Sequence, residues 1–129
     1  MAAIKLGLQD NVELGHLDAR RDWGFAGDYV RAMHLMLRQR EPTDFVVGTE
    51  ETHTVREFAD AAFRTVSLRW EDHVVVSESH MRAAEVHELR ADASRAKALL
   101  GWRPSVSFEQ LVDMMVESDL RQLREEHRL

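Results

Sequence analysis

The chain has 129 residues, 44% of them hydrophobic and 31% charged, with a formal net charge of −6. That suffices for one small globular domain, and the acidic balance argues against a nucleic-acid partner, which would show a basic patch. There are no cysteines, so a disulfide framework and a thiolate metal site are excluded, and the composition suits the cytoplasm; no run reaches the roughly 18 apolar residues of a membrane span.

Residues 2–8 read as the end of a helix that Gly7 weakens. Residues 12–17 read as a short strand. A helix starts near Gly24 or Gly27 and runs to about Arg40, with Tyr29, Val30, Met33, Met36 and Leu37 as its apolar stripe. Pro42 breaks it. Residues 45–49 are continuously apolar, as in a buried parallel strand. Thr54 and Glu57 have capping-box spacing, and the helix they open shows Val55, Phe58, Ala59, Ala62, Phe63 and Val66 on one face. Residues 73–77 are a strand. Residues 92–100 are a helix that Gly101 ends. Ser107 and Gln110 form a second capping box, opening a helix that buries Phe108, Leu111, Val112, Met115, Val116 and Leu120. Beyond Asp119 the charged tail is expected to fray. The alternation of helices and short strands is an α/β pattern.

Arg21 lies where the first strand gives way to the long helix, and an arginine at such a turn presents a planar pair of donors to a phosphate. The same residues also suit a surface loop with one Arg–Asp pair. Arg20 and Asp22 flank Arg21, and either or neither orients it. Arg82 and Glu85 stand three apart after the later strand. Glu85, His87 and Glu88 form one isolated triplet, short of the three or four convergent ligands of a zinc site. His53, beside the capping threonine, is expected to be exposed. Asp28 and Tyr29 are expected to anchor the helix, and Trp23 and Trp102 to pack.

Several phrases in order carry a resemblance: Lys5-Leu-Gly-Leu-Gln9, Leu14-Gly-x-Leu-Asp-Ala-x-Arg-Asp-Trp-Gly24, Asp28-Tyr-Val30, Glu51-Thr-His-x-Val-Arg-Glu-Phe58, Arg82-x-Ala-Glu-Val86 and Leu100-Gly-Trp-x-Pro104. From about Ala3 to about Leu120 the chain resembles the C-terminal part of GDP-mannose 4,6-dehydratase, an extended short-chain dehydrogenase that modifies nucleotide sugars. The resemblance implies an α/β fold in which one helix and one strand of this chain belong to a Rossmann sheet outside it. Residues 1–50 would pack on that Rossmann domain, residues 51–120 would form a small α/β substrate-binding domain, and residues 121–129 a charged tail.

The resemblance also implies roles. Arg21 and Arg82 would contact the diphosphate of GDP-mannose or a related nucleotide sugar, and Glu85 the ribose hydroxyls. Leu14 and Gly15 lie where the family lets backbone approach the guanine. NADP is the cofactor of the full-length family, whose members commonly form homo-oligomers. This sequence lacks the Gly-x-x-Gly-x-x-Gly turn and the Tyr-x-x-x-Lys pair: its only tyrosine, Tyr29, has Met33 four residues on. The expectation is therefore a C-terminal portion with no catalytic, cofactor-binding or metal residues of its own, inactive alone, whose Rossmann half could be separately encoded. The alternatives are a stand-alone nucleotide-sugar-binding module or a nonfunctional remnant. The chain departs from the family pattern at His16, Ala83, His87, Glu88 and Ala91, mostly within the loop of the proposed clamp.

Overall fold

Two discontinuous units organise the computed structural model, which describes residues 1–81 and 86–128. The first comprises Met1–Ala19, Thr54–His87 and Val112–Leu129, and the second Arg20–His53 and Glu88–Leu111.

In the first unit, helix α1 (Ala2–Lys5) stops before Gly7, which sits at φ 69°, a conformation glycine adopts without steric cost. Strand β1 (Val12–Leu14) runs parallel to β4 (Val74–Val76), with Val12 opposite Val74 and Leu14 opposite Val76. Between them in sequence lies α3 (Val55–Thr65), opened by Thr54 and Glu57: Thr54 Oγ1 accepts from the Glu57 amide at 3.0 Å, and the Glu57 carboxylate from the Thr54 amide at 2.6 Å. The capping box satisfies amides that an uncapped first turn would leave orphaned. Ala59, Ala62, Phe63 and Val66 are buried on the expected face, and Phe63 stacks on His73 at 5.6 Å. Helix α5 (Phe108–His127) supplies Val112 and Val116 to this unit's buried set, and Thr65 Oγ1 donates to Asp113 at 2.7 Å.

In the second unit, strand β2 (Arg20–Arg21) is the middle of a three-stranded ribbon ordered β3 (His53–Thr54), β2, β5 (Glu88–Leu89), with β2 and β5 parallel. Helices α2 (Ala26–Met36) and α4 (Ser94–Leu100) pack through Ala32, Ala93, Ala96 and Trp102, with Tyr29, Leu35, Met36, Phe45, Val47 and Leu100 around them. Small residues on both helices leave room for the indole, which is 1% exposed and whose Nε1 donates to the Asp28 carbonyl at 2.8 Å. Truncating a tryptophan at such a site costs about 3–5 kcal/mol. Gly101, at φ 63°, ends α4 in the left-handed conformation.

Residues 45–49 form no ladder among the described residues, as for a strand whose expected partners lie in a sheet outside this chain; Phe45 and Val47 face the Trp102 core while Val46 is exposed. Several other expectations are corrected. Helix α2 is shorter than residues 24–40, and its buried face is not the expected stripe. Val30, Met33 and Leu37 are exposed, and Asp28 and Ala32 are buried instead. The tail does not fray at Asp119, because α5 continues to His127 with support from the Gln122–Glu126 side-chain bond one turn apart. On that helix Met115 is exposed rather than buried. The strand expected over residues 12–17 ends at Leu14, where Gly15 passes against the His80 carbonyl.

Candidate functional site

Arg21 lies on a strand rather than in a turn, half-buried, with Nη1 donating to the Arg20 carbonyl at 2.7 Å. Backbone pairing with Leu89 on β5 fixes its register, and the Asp22 amide extends that ladder to the Leu89 carbonyl at 3.0 Å. Arg20 points to a different partner: Nε donates to Thr52 Oγ1 at 3.1 Å, and Thr52 donates in turn to Glu88 at 2.9 Å. Arg20 is therefore tied across the ribbon from β2 to the Thr52 side and to β5.

Asp22 gathers four donors from distant chain segments. The Thr49 amide and hydroxyl reach Oδ1 at 2.8 and 2.6 Å, and the amides of Glu50 and Ala91 reach Oδ2 at 2.9 and 3.2 Å. Glu50 stands at φ 67°, a left-handed conformation that costs a non-glycine residue energy; its amide bond to Asp22 helps hold it there. The Glu50 carboxylate reaches on to the Ala93 amide at 2.9 Å and pairs with Lys97. The Lys97 hydrogen bond and the Ala93 amide hold the Glu50 carboxyl below its ordinary value. Hydrogen bonds from Ser94 do the same for Asp92.

Asp28 anchors the start of α2, as expected. It is 3% exposed and accepts from the Ser105 hydroxyl and amide, the Val106 amide and Arg31. Burial pushes its carboxyl upward, but the Ser105 and Val106 hydrogen bonds and the Arg31 charge outweigh burial, so the net direction is down. Tyr29 moves the other way: burial, then the charges of Asp22 and Asp28, raise its phenol above the ordinary value. A tyrosine acting as a base needs the opposite direction.

In the first unit an open cleft of about 380 Å³ is lined by Gly15, His16, Asp18, Arg56, Met81 and His87 among others. Arg56 bonds Asp18 at 2.9 Å and lies 5.4 Å from the centre of the Trp70 ring. Gly15 belongs at this edge because a Cβ there would meet the His80 carbonyl oxygen at 2.4 Å. Arg82 and Glu85 lie outside the described residues. In the second unit a cleft of about 320 Å³ is lined by Trp23, Thr49, Glu51, His53 and Gln110 among others. His53, expected to be exposed, is half-buried and stacks on Phe108 at 3.8 Å; Trp23 donates to its carbonyl at 3.3 Å.

The N-terminal turn of α2 carries the buried carboxylate of Asp28. Among the described residues no group of three or more His, Asp and Glu side chains could hold a metal ion, and no helix is long and apolar enough to cross a membrane.

The family model described as GDP-mannose 4,6 dehydratase matches residues 1–115. The chain belongs to this family. It is 54% identical over 126 residues to GDP-mannose 4,6 dehydratase 1 of Arabidopsis thaliana, covering 98% of this chain and 35% of that protein. It is 41% identical over 141 residues to the Homo sapiens GDP-mannose 4,6 dehydratase, covering 96% of this chain and 38% of that one. The chain thus spans about a third of the length of these relatives. The fold agrees with RMD from Pseudomonas aeruginosa, solved in complex with NADPH, at a TM-score of 0.83 and 23% identity over 94% of this chain and 40% of that one. UDP-glucose 4-epimerase of Thermotoga maritima, solved with UDP-glucose, gives a TM-score of 0.80 at 25% identity over 95% of this chain and 38% of that one. The small α/β structure with partial sheets is therefore that of the extended short-chain dehydrogenases that act on nucleotide sugars.

Of the three side chains expected from sequence to bind substrate, only Arg21 lies among the described residues; Leu14 ends β1 and Gly15 lines the first-unit cleft. The structure adds Asp22 as the fastening of the strand that carries Arg21. Adjacency in sequence made Asp22 a candidate to orient Arg21, but it held no signal for which donors Asp22 meets, because they are 27 to 69 residues away.

Proposed function

We propose that this chain is the sugar-nucleotide-binding portion of a GDP-mannose 4,6-dehydratase, the enzyme that converts GDP-mannose to GDP-4-keto-6-deoxymannose with loss of water. The observation that carries the reading is the family match over residues 1–115. Arg21 and Arg82 donate charge-assisted hydrogen bonds to the diphosphate, and Glu85 accepts from the ribose diol, as a carboxylate with two acceptor oxygens is suited to do. NADP chemistry belongs to a Rossmann domain outside these residues, and the chain alone binds no dinucleotide and turns over nothing. Residues 1–50 pack on that domain. The exposed apolar side chains of Val30 and Met33 on α2, of Leu37 at its end and of Val46 beyond it support this, since clustered exposed apolar side chains mark a face that is covered in the assembled protein. The whole enzyme is a cytoplasmic homo-oligomer in this reading.

Calorimetric titration of the purified chain with GDP-mannose, beside Arg82→Ala, is the test. Heat that is lost in the variant supports the assigned roles; equal heat from both proteins overturns the role of Arg82. Conversion of GDP-mannose by the chain with added NADP would overturn the expected inactivity.

A further inference from the structure

We propose that Asp22 is the positioning residue for Arg21 and works through the backbone. The inference rests on the reading of Arg21 as a diphosphate ligand. A carboxylate has about four lone-pair positions, and Asp22 receives four donors, from Thr49, Glu50 and Ala91. These donors come from two segments, residues 49–50 and residue 91, that flank the end of β2. The packing is tight: a Cβ on Gly48 would lie 2.9 Å from Asp22 Oδ2 and 2.2 Å from the Ala91 Cβ. The residue next to Arg21 is thus held from two sides while its own amide bonds Leu89 on β5.

β2 itself is only two residues long, so its ladder alone defines the direction of Arg21 poorly. Ordering a flexible arginine at the moment of binding costs affinity, and a strand already fixed removes part of that cost. The clamp therefore favours binding of the diphosphate and leaves recognition of the base unaffected.

The test measures affinities of the full chain for GDP and for guanosine by titration. Asp22→Asn keeps the shape but turns an amide NH₂ toward backbone donors. It is expected to weaken GDP about tenfold, the scale of one charge-assisted contact, and to leave guanosine unchanged. In an Arg21→Ala background the same substitution is expected to change GDP affinity less than about twofold, because residues acting through one another are not additive. Thr49→Val, which removes one donor of the four, gives a smaller loss in the same direction and serves if Asp22→Asn does not fold. Ser105→Ala, which loosens the second unit at Asp28 and away from β2, is expected to leave GDP affinity unchanged.

A full additional loss from Asp22→Asn in the Arg21→Ala background overturns the inference, as does an equal loss for guanosine, or an equal loss from Ser105→Ala. If Arg21→Ala itself leaves GDP affinity at the wild-type value, or the wild-type chain binds no GDP, the reading of Arg21 fails and the inference falls with it. If Arg21→Ala weakens GDP and neither Asp22→Asn nor Thr49→Val does, only the role of Asp22 fails.

Discussion

Replacing Asp28 with alanine removes the acceptor for four hydrogen bonds at once: from the Ser105 amide at 2.8 Å, the Ser105 hydroxyl at 2.7 Å, the Val106 amide at 3.3 Å and Arg31 at 2.9 Å. A hydrogen bond to a charged group contributes about 1.5–3 kcal/mol when both partners are buried. The four are not equal. The Arg31 side chain is 49% exposed and regains water, so its share is under about 1 kcal/mol. The Val106 bond is long, and Ser105 is itself exposed and its hydroxyl can turn to solvent. Counting the Ser105 amide near full strength and the others at a fraction gives about 3 kcal/mol for Asp28→Ala. That is a large part of the roughly 5–15 kcal/mol that stabilises a typical domain, and corresponds to a fall in Tm of about 10 °C. Urea denaturation followed by tryptophan fluorescence measures it, since Trp102 is buried and donates to the Asp28 carbonyl. Ser105→Ala in both backgrounds supplies the coupling, expected at about 1 kcal/mol. A loss below about 0.5 kcal/mol for Asp28→Ala would refute the reasoning, because surface substitutions without structural consequence fall in that range.

The same carboxylate sets a pH dependence. Its folded pKa lies below its ordinary value of 3.8, so the stability it contributes is complete above that value and is lost as pH falls through the folded pKa. The advantage of the wild type over Asp28→Asn should be constant well above pH 3.8 and shrink below it, read by urea midpoints across the acid range; an advantage that grows on acidification would contradict the assignment. Gly15→Ala should destabilise the first unit by about 1–3 kcal/mol, because the new Cβ would meet backbone at His80 rather than a side chain able to swing away; a wild-type denaturation curve would contradict it. Thr54→Ala, which removes the cap of α3, should cost about 1 kcal/mol. Met33→Lys with Leu37→Lys should change stability by less than about 0.5 kcal/mol, since those side chains are 57% and 86% exposed, and should reduce light scattering at high concentration. A marked loss of stability would show that the stripe is covered by the chain itself.

Local sequence determined whatever depends on neighbours a turn apart. The Thr54–Glu57 and Ser107–Gln110 capping boxes form as their spacing requires, since each satisfies its own orphan amides within one turn of chain. Gly101 ends α4 because a left-handed residue there is cheap only for glycine. The buried face of α3 follows from helical period alone. The order of the family phrases likewise made the family legible, because those phrases need no structure to be matched.

Only the tertiary structure decided which side of α2 is buried. Periodicity finds an apolar stripe but cannot say whether the chain itself covers it, and here Trp102, Ala93 and Ala96 face Ala32 while Val30, Met33 and Leu37 stay exposed. Continuous apolar character likewise could not show that residues 45–49 lack a ladder, because a strand is defined by its partner and not by its own composition. Asp22 and Asp28 belong to the same class. Sequence marked each as a candidate, Asp22 beside Arg21 and Asp28 at the start of a helix, but the means comes from backbone donors brought from 27 to 78 positions away. A buried carboxylate must find such donors, but which donors it finds is set by the folded chain.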